Sequence, residues 1–219
     1  MRRTSIPTLS SPATGRTRVG ARVAWLAAVA LALGCRTVQL QPTQVSSDAV
    51  LLTVPVVPQD DLYECGLASI SALSCYHGVD IPVGERERLV DLATEERGLS
   101  GGELRQALEA AGTEVFVFPG TLDHEVSGLF HHIDNGRPLL VMISVQDEVF
   151  HYCLFTGYDP EYDNVFLLDP RRGSLVLPTS SFAALWSKSD NFTLLCVPAR
   201  SADRVRTIPR HPPESKLHT

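Results

Sequence analysis

The pattern of hydrophobic and polar positions divides the central chain into a helical half and a strand-rich half. In the helical half, leucine and isoleucine recur at helical spacing in the stretch CGLASISALSCYHG, and Gly78 suits the end of that helix. Ser100 and Glu103 have the spacing of a capping box, which marks the start of another helix. Helices are therefore predicted over residues 65–78, 84–96, 100–112 and 121–134.

The second half contains short runs of β-branched and aromatic residues separated by turn residues. Strands are predicted over residues 114–118, 138–145, 150–159, 164–170, 174–178 and 192–197, with a short helix over 180–187. Two prolines make residues 51–59 extended. Because the helices come first and the strands follow, the order predicts an α+β fold, with a helical part packed on an antiparallel sheet.

The first 34 residues have the pattern of an export signal. Residues 1–22 contain five arginines and no acidic residue, and an apolar run over 23–34 follows them and stops before Cys35. This run is shorter than the roughly 20 residues that a membrane-spanning helix needs. The stretch LALGC at 31–35 resembles the lipobox of bacterial lipoproteins, in which the cysteine receives a lipid and becomes the new N-terminus.

That resemblance implies a signal peptide over residues 1–34 and a membrane anchor at Cys35, followed by a polar tether over 35–50. The residue after the cysteine is Arg36 instead of the aspartate associated with inner-membrane retention. The lipoprotein resemblance therefore implies the outer membrane, with the domain facing the periplasm. The alternative is an ordinary signal peptide in which Cys35 is incidental.

Composition limits the class of protein further. The 219 residues are 44% hydrophobic and 20% charged, which is an ordinary balance for a globular core. With a net charge of −6, the chain lacks the excess of basic residues that is typical of nucleic-acid-binding proteins, so no nucleic-acid partner is expected. Residues 51–198 suit one domain, and the polar segment 199–219 is predicted to be disordered.

A candidate nucleophile stands at the start of the first predicted helix. Cys65 opens this helix, whose free N–H groups and partial positive charge favour a reactive thiolate. Gln59 precedes it by five intervening residues and is a candidate second donor, beside the Cys65 N–H, to an oxyanion. Gly66 is expected to leave space for a peptide beside the nucleophile.

A candidate base and its orienting group lie in the strand-rich half. His151 begins a strand of otherwise apolar residues, and Asp169 ends the next predicted strand. A hairpin through residues 159–164 would bring the two side chains together, so that the carboxylate holds the imidazole in orientation. With Cys65, these residues complete the logic of a catalytic triad.

These residues in this order resemble the bacteriocin-processing, or double-glycine, peptidase family of the papain-like superfamily. The resemblance covers about residues 52–197, and the segments RGLSGGELRQALEAAG and GRPLLVMIS add to it. It implies a papain-like fold with Cys65 as nucleophile, His151 as general base, Asp169 as orienting residue and Gln59 as oxyanion donor. It also implies a peptide or protein substrate. Cleavage after Gly-Gly leaders is implied by the family resemblance alone and not by these residues.

The sequence departs from the family in two ways. Glu64 precedes the nucleophile where the family usually has aspartate. Many members are fused to an ATP-driven transporter, whereas this chain has no G-x-x-x-x-G-K-[ST] loop, so no ATP is expected. Two other functions stay open: a non-catalytic module that binds a peptide or partner, and a thiol transpeptidase or amidase acting on cell-wall peptides.

No metal or organic cofactor is predicted. The cysteine spacings do not match C-x-x-C metal sites, and His124, His131 and His132 lack an accompanying carboxylate–histidine pattern. These three histidines are expected to be exposed polar residues. Outside the cytosol a pair of cysteines can oxidise, and their spacing does not say which pair. The candidates for such pairing are Cys75, Cys153 and Cys196.

Overall fold

The computed structural model describes residues 45–61, 63–94, 97–146 and 149–199. The predicted signal peptide, Cys35, most of the predicted tether and the predicted disordered segment from Arg200 onwards lie outside these residues.

The described residues contain five α-helices. Four lie within residues 65–134, and the fifth precedes the last strand. The first begins at the candidate nucleophile and ends at Gly78, whose φ of 64° is the left-handed conformation that glycine adopts without strain. The third begins with the predicted capping box, in which Ser100 and Glu103 bond to each other's backbone N–H. The helices are α1 (Cys65–His77), α2 (Val83–Leu92), α3 (Gly101–Ala110), α4 (Leu129–Asp134) and α5 (Thr179–Trp186).

A single antiparallel sheet forms the other layer, as the α+β prediction required. Its strands follow the order β2-β7-β3-β4-β5-β6, and β1 pairs with β4 beside this path. The strands are β1 (Val50–Leu51), β2 (Thr113–Pro119), β3 (Leu139–Gln146), β4 (Val149–Asp159), β5 (Asn164–Asp169), β6 (Gly173–Pro178) and β7 (Phe192–Pro198). The bounds of β2 to β7 agree with the predicted ones within one or two residues, whereas the start of β1 was predicted as tether and its second residue only as extended chain.

Two of the predicted helices are shorter in the structure. The helix predicted over residues 84–96 ends at Leu92, and that predicted over 121–134 begins only at Leu129. Before that residue the chain doubles back, because Leu129 N–H donates to the carbonyl oxygen of Thr121 at 2.8 Å and Thr121 forms a bridge with Gly128. Gly128 permits this reversal, since a Cβ there would collide with the backbone of Asp123.

Packing on both faces of the sheet builds the core. Helix α1 is buried from Cys65 to Ser74 and lies with α3 against one face, where Leu104, Leu154 and Leu168 are enclosed. Helices α4 and α5 cover the other face, where Phe155 and Trp186 are enclosed. Since a residue and its neighbour along a strand point to opposite faces, β4 contributes to both sides.

The N-terminal segment joins the domain earlier than predicted. Ser46 donates from both its N–H and its Oγ to the buried carboxylate of Asp159, each at 2.7 Å. Val50 and Leu51 then pair with the end of β4. The polar segment predicted as a tether up to residue 50 is therefore docked onto the domain from Ser46. None of the helices in the described ranges is long and apolar enough to span a membrane.

The pairing of β1 with β4 depends on Gly157. A Cβ at this position would collide with the carbonyl oxygen of Val50 and would lie 3.0 Å from Leu51 Cα, and neither backbone atom has room to yield. We therefore expect Gly157→Ala to lower the free energy of unfolding by about 1–3 kcal/mol, measured by urea denaturation.

Gly84 is the matched control for this substitution. It is exposed in α2, and an added Cβ there meets nothing within 4 Å. Gly84→Ala should leave stability unchanged or raise it by up to about 1 kcal/mol. Equal stability of Gly157→Ala and the wild-type protein would contradict the importance of the β1–β4 contact.

Candidate active site

Cys65 is the first residue of α1 and is 8% exposed. The N-terminal end of this buried helix faces the start of β4, so the partial positive charge of the helix end acts at the sulfur. Glu64 organises the loop before it: its Oε2 accepts the N–H groups of Asp60 at 3.3 Å and Asp61 at 3.2 Å. The glutamate that replaces the family's usual aspartate therefore holds the loop that leads to the nucleophile.

His151 and Asp169 meet because β4 and β5 are antiparallel neighbours. The hairpin predicted through residues 159–164 is present, and His151 Nε2 lies 3.2 Å from Asp169 Oδ2. The two side chains are 14% and 4% exposed. The distance is that of an ion pair, although the angle is less favourable than that of an ideal hydrogen bond.

The turn after β5 holds the carboxylate of Asp169 in place. Its Oδ1 accepts the N–H groups of Arg171 at 2.8 Å and Arg172 at 3.1 Å, which leaves Oδ2 for His151. Burial favours the neutral carboxyl, yet the contact with His151 and the two N–H donors prevail and lower the pKa of Asp169. The group is therefore a carboxylate at neutral pH.

His151 lies between two partners that favour its charged form. Burial of the ring opposes protonation, but polar contacts with Asp169 and Cys65, together with their negative charge, raise the pKa of His151 to about 9. Because Nε2 faces Asp169, Nδ1 is the ring nitrogen left for the sulfur. The arrangement places the imidazole between the sulfur of Cys65 on one side and the Asp169 carboxylate on the other.

Gln59 is fixed at the edge of this cluster. Its backbone N–H donates to the carbonyl oxygen of Pro170 at 3.2 Å, which ties the loop before the nucleophile to the turn after Asp169. Its Nε2 donates to Asp61 O at 2.7 Å, and its Oε1 is buried without a partner. A side-chain amide has two N–H donors, so one remains for a substrate oxygen.

A groove of about 550 Å³ leads away from the sulfur of Cys65. One wall comes from α3 and the segment before it, and the other comes from β3 and β4. Its lining combines charged, hydroxyl and apolar side chains. The lining residues are Cys65, Arg97, Gly98, Leu99, Ser100, Glu103, Met142, Phe150 and Tyr152.

Comparison with known families gives this geometry a context. The sequence profile of the peptidase C39 family matches residues 53–201 of this chain, which include the candidate triad and the groove. The chain belongs to the peptidase C39 family. It is therefore a cysteine-type peptidase, as the resemblance predicted. No curated protein matches the chain.

Solved structures share the fold of this C39 domain. The peptidase domain of Streptococcus ComA, a bi-functional ABC transporter involved in quorum sensing, is 17% identical with a TM-score of 0.54, covering 67% of this chain and all of that one. A double-glycine-motif protease from an AMS/PCAT transporter, solved with its leader peptide, is 20% identical with a TM-score of 0.54, covering 74% and 100%. A C39-like peptidase from Bacillus anthracis is 16% identical with a TM-score of 0.56, covering 69% and 98%. They confirm the papain-like α+β fold.

The surroundings of Gly66 differ from those expected of a substrate-binding glycine. Gly66 is buried and does not line the groove. An added Cβ would lie 3.1 Å from Leu104 and 3.3 Å from Tyr152, so the missing side chain lets α1 pack closely against α3 and β4. Close helix packing, instead of space for a peptide, is the physical reason that the structure gives for this glycine.

The other cysteines of the described domain are free thiols, and they differ in exposure. Cys153 is fully buried, and burial raises the pKa of its thiol well above the ordinary value. Burial also raises the pKa of Cys196 to about 11. Cys75 is exposed at the end of α1. The two buried thiols therefore suit the core rather than chemistry.

The three neighbouring histidines do not converge. His124 Nδ1 lies 2.9 Å from Asp134 Oδ2, and His132 packs against the ring of Phe118. His132 is buried, contrary to the expectation that all three are exposed, because α4 turns it towards the sheet. Among the described residues, no group of three or more His, Cys, Asp and Glu side chains has a metal-binding arrangement.

Sequence reasoning missed the polar and aromatic lining of the groove. Ser100 and Glu103 were recognised as a capping box, Arg97 as part of the segment that resembles the family, and Tyr152 as part of a strand. The position of Tyr152 next to His151 is the one sequence signal that would have pointed to the site.

The pKa of His151 provides a direct test of the ion pair with Asp169. In the wild-type protein an NMR titration of the imidazole should give a pKa of about 9. Asp169→Asn removes the negative partner while keeping the shape, so the His151 pKa should fall by at least one unit. An unchanged titration would show that the carboxylate does not act on this ring.

The same substitution should change how stability depends on pH. A histidine whose pKa is higher in the folded chain stabilises it fully below about pH 6.5. This contribution is lost as the pH rises through about 9. The destabilisation caused by Asp169→Asn should therefore be larger at pH 6 than at pH 10, as measured by urea denaturation.

Proposed function

We propose that Cys65, His151 and Asp169 form the catalytic triad of a peptidase that cleaves exported peptides or proteins. The observation that supports this most strongly is the position of His151, which lies between the candidate nucleophile and a carboxylate that is itself fixed by two backbone donors. The groove that begins at Cys65 is the candidate binding site for the peptide.

In the proposed reaction, the Cys65 thiolate attacks the carbonyl carbon of the scissile peptide bond. The Cys65 N–H and the remaining Nε2 donor of Gln59 stabilise the resulting oxyanion. The His151 imidazolium protonates the leaving amine, and the C–N bond breaks to leave a thioester on Cys65. His151 then deprotonates a water molecule, whose attack releases the carboxylic acid and restores the thiolate. Asp169 keeps the imidazole in orientation throughout.

For the substrate, we propose peptides with a Gly-Gly leader. The support is the family membership of the chain and the likeness of its fold to a double-glycine-motif protease that was solved with its leader peptide. The opening of the groove between α3 and the strands β3 and β4 suits an extended peptide better than a small molecule.

A cleavage assay tests the triad and the substrate separately. Incubated with synthetic peptides in which a leader ending in Gly-Gly precedes a reporter segment, the wild-type protein should release that segment after the second glycine. Cys65→Ala should lower kcat by about 10³-fold or more. Cys75→Ser, which changes an exposed free thiol, is the matched control and should retain full activity.

Product masses decide between the outcomes. Cleavage at another bond would refute the Gly-Gly substrate and leave the triad intact. Transfer of the acyl group to an added amine would identify a transpeptidase instead of a hydrolase. Activity that survives in Cys65→Ala would contradict the assignment of the nucleophile.

We further propose that the protein is a lipoprotein anchored through Cys35 and exposed to the periplasm, with the outer membrane as its location. The support is the arginine-rich start and the short apolar run that ends in LALGC, followed by Arg36. In a Gram-negative host, the full chain should fractionate with the outer membrane and carry a diacylglyceryl group on its N-terminal cysteine, seen by mass spectrometry.

Cys35→Ser tests the anchor without touching the folded domain. The substituted protein should lose the lipid mass and leave the membrane fraction. Retention of wild-type membrane association by Cys35→Ser would contradict the lipid anchor, and recovery in the inner-membrane fraction would contradict the proposed location.

A further inference from the structure

The residue before the nucleophile stands at the cap position of α1 without capping the helix. A residue in the position of Glu64 normally bonds through its side chain to the first free N–H groups of the helix. The side chain of Glu64 makes no such bond. Its carboxylate instead turns back to the loop over residues 59–61, so it leaves the N–H groups next to the sulfur of Cys65 free of a capping side chain.

Glu64 holds one residue of this loop from two sides. Its Oε2 accepts the N–H of Asp61 at 3.2 Å, and its own backbone N–H donates to the carbonyl oxygen of Asp61 at 3.2 Å. The same Oε2 accepts the N–H of Asp60 at 3.3 Å. Because the loop belongs to no helix or strand, its orientation depends on bonds of this kind. Bonds to a carboxylate are stronger than those between neutral groups.

The residue held in this way binds the candidate oxyanion donor. The carbonyl oxygen of Asp61 accepts the side-chain Nε2 of Gln59 at 2.7 Å. Among the described residues this is the one bond to the Gln59 side chain, whose Oε1 is buried without a partner. The backbone of Gln59 is fixed separately, by its bond to Pro170. The orientation of the amide therefore depends on Asp61, and the orientation of Asp61 depends on Glu64.

We propose that Glu64 is a positioning residue that sets the Gln59 amide in the oxyanion site through the carbonyl oxygen of Asp61. This inference rests on the proposed peptidase function, in which Gln59 and the Cys65 N–H stabilise the oxyanion. Such a donor is most effective when it is in place before the charge develops, because no free energy is then spent on reorienting it during the reaction. The carboxylate of Glu64 supplies that fixed geometry without itself contacting the substrate.

The test compares two reagents that react with the same sulfur. p-Nitrophenyl acetate is attacked at its carbonyl carbon, so an oxyanion forms before nitrophenolate leaves and an acetyl thioester remains. Iodoacetamide is attacked at its CH₂ carbon and loses iodide, so no oxyanion forms. Nitrophenolate release is counted as the part that is lost in Cys65→Ala, and alkylation is followed by the mass of the Cys65 peptide from the full-length protein. The ratio of the two rates reports oxyanion stabilisation and requires no peptide cleavage.

Four proteins form a double-mutant cycle: the wild type, Gln59→Ala, Glu64→Ala and the double variant. Gln59→Ala should lower the ratio by about 100-fold, the effect of one lost oxyanion donor. Glu64→Ala should lower it by about 10-fold or more, since a misplaced donor loses much of its effect. In the Gln59→Ala background, Glu64→Ala should change the ratio by less than about 2-fold, because the group through which it acts is gone.

Two further variants separate position from charge. Glu64→Gln keeps an acceptor oxygen in the same place and loses the charge, so its ratio should lie between those of the wild type and Glu64→Ala. If Glu64→Ala does not fold, Glu64→Gln takes its place in the cycle. Asp80→Ala removes an exposed carboxylate beyond the other end of α1 and controls for net charge, so it should leave the ratio unchanged.

Three results would overturn the proposal and leave the nucleophile assigned. An unchanged ratio in Glu64→Ala, including a fall of both rates by the same factor, would show that the carboxylate does not act on the oxyanion. An equal fall with and without Gln59 would show that Glu64 acts independently of that amide. An unchanged ratio in Gln59→Ala would refute the oxyanion role of Gln59, and this inference with it.

A failure of the proposed function itself gives a different result. Nitrophenolate release that is equal in the wild type and in Cys65→Ala would show that Cys65 is not an acylated nucleophile, and the positioning role of Glu64 would fall with that assignment.

Discussion

The site depends on the antiparallel register of β4 and β5, which brings a histidine and a carboxylate together in a place where burial opposes the charge on each. Burial works against the charge on both groups. Their contact outweighs this cost together with Cys65, which favours the charged histidine, and the two backbone N–H donors, which favour the carboxylate, so the pKa of His151 rises and that of Asp169 falls. A shift of one residue in the register would turn one of the two side chains to the opposite face of the sheet. The contact between His151 and Asp169 is therefore determined by the register of the β4–β5 hairpin.

Helix α1 supplies the third member under a different constraint. It is enclosed along most of its length, which explains why its sequence is small and weakly polar instead of amphipathic. Two of its serines bond to neighbouring elements: Ser69 donates to the carbonyl oxygen of Tyr152, and Ser71 accepts from the side chain of Arg86. Because Gly66 lets the helix approach β4 closely, packing brings the sulfur of Cys65 within reach of the ring of His151.

The features that the sequence predicted correctly depend on local signals. The capping box at Ser100, the glycine end of α1 and the alternation of the strands depend on a few adjacent residues, and all of them are present in the structure. The pairing of His151 with Asp169 was predictable because the hairpin between them is short. The bridge of Thr121 with Gly128, which shortens the predicted helix, depends on tertiary contacts that periodicity does not contain.

The same distinction separates the predicted triad from the unpredicted groove. Tyr152 and Phe150 stand on either side of His151, and apart from that position nothing local marks them as lining a site, because aromatic residues are ordinary in strands.

The two ends of β4 have different partners. His151 lies near one end, while Asp159 at the other end holds Ser46 of the incoming chain. Eight residues of extended strand separate them by about 26 Å. An anchor upstream of Ser46 would therefore pull on the end of the sheet opposite the nucleophile. Because the buried Asp159 carboxylate bonds both the N–H and the hydroxyl of Ser46, a load from the proposed anchor would act first on this end of β4, far from the contact between His151 and Asp169.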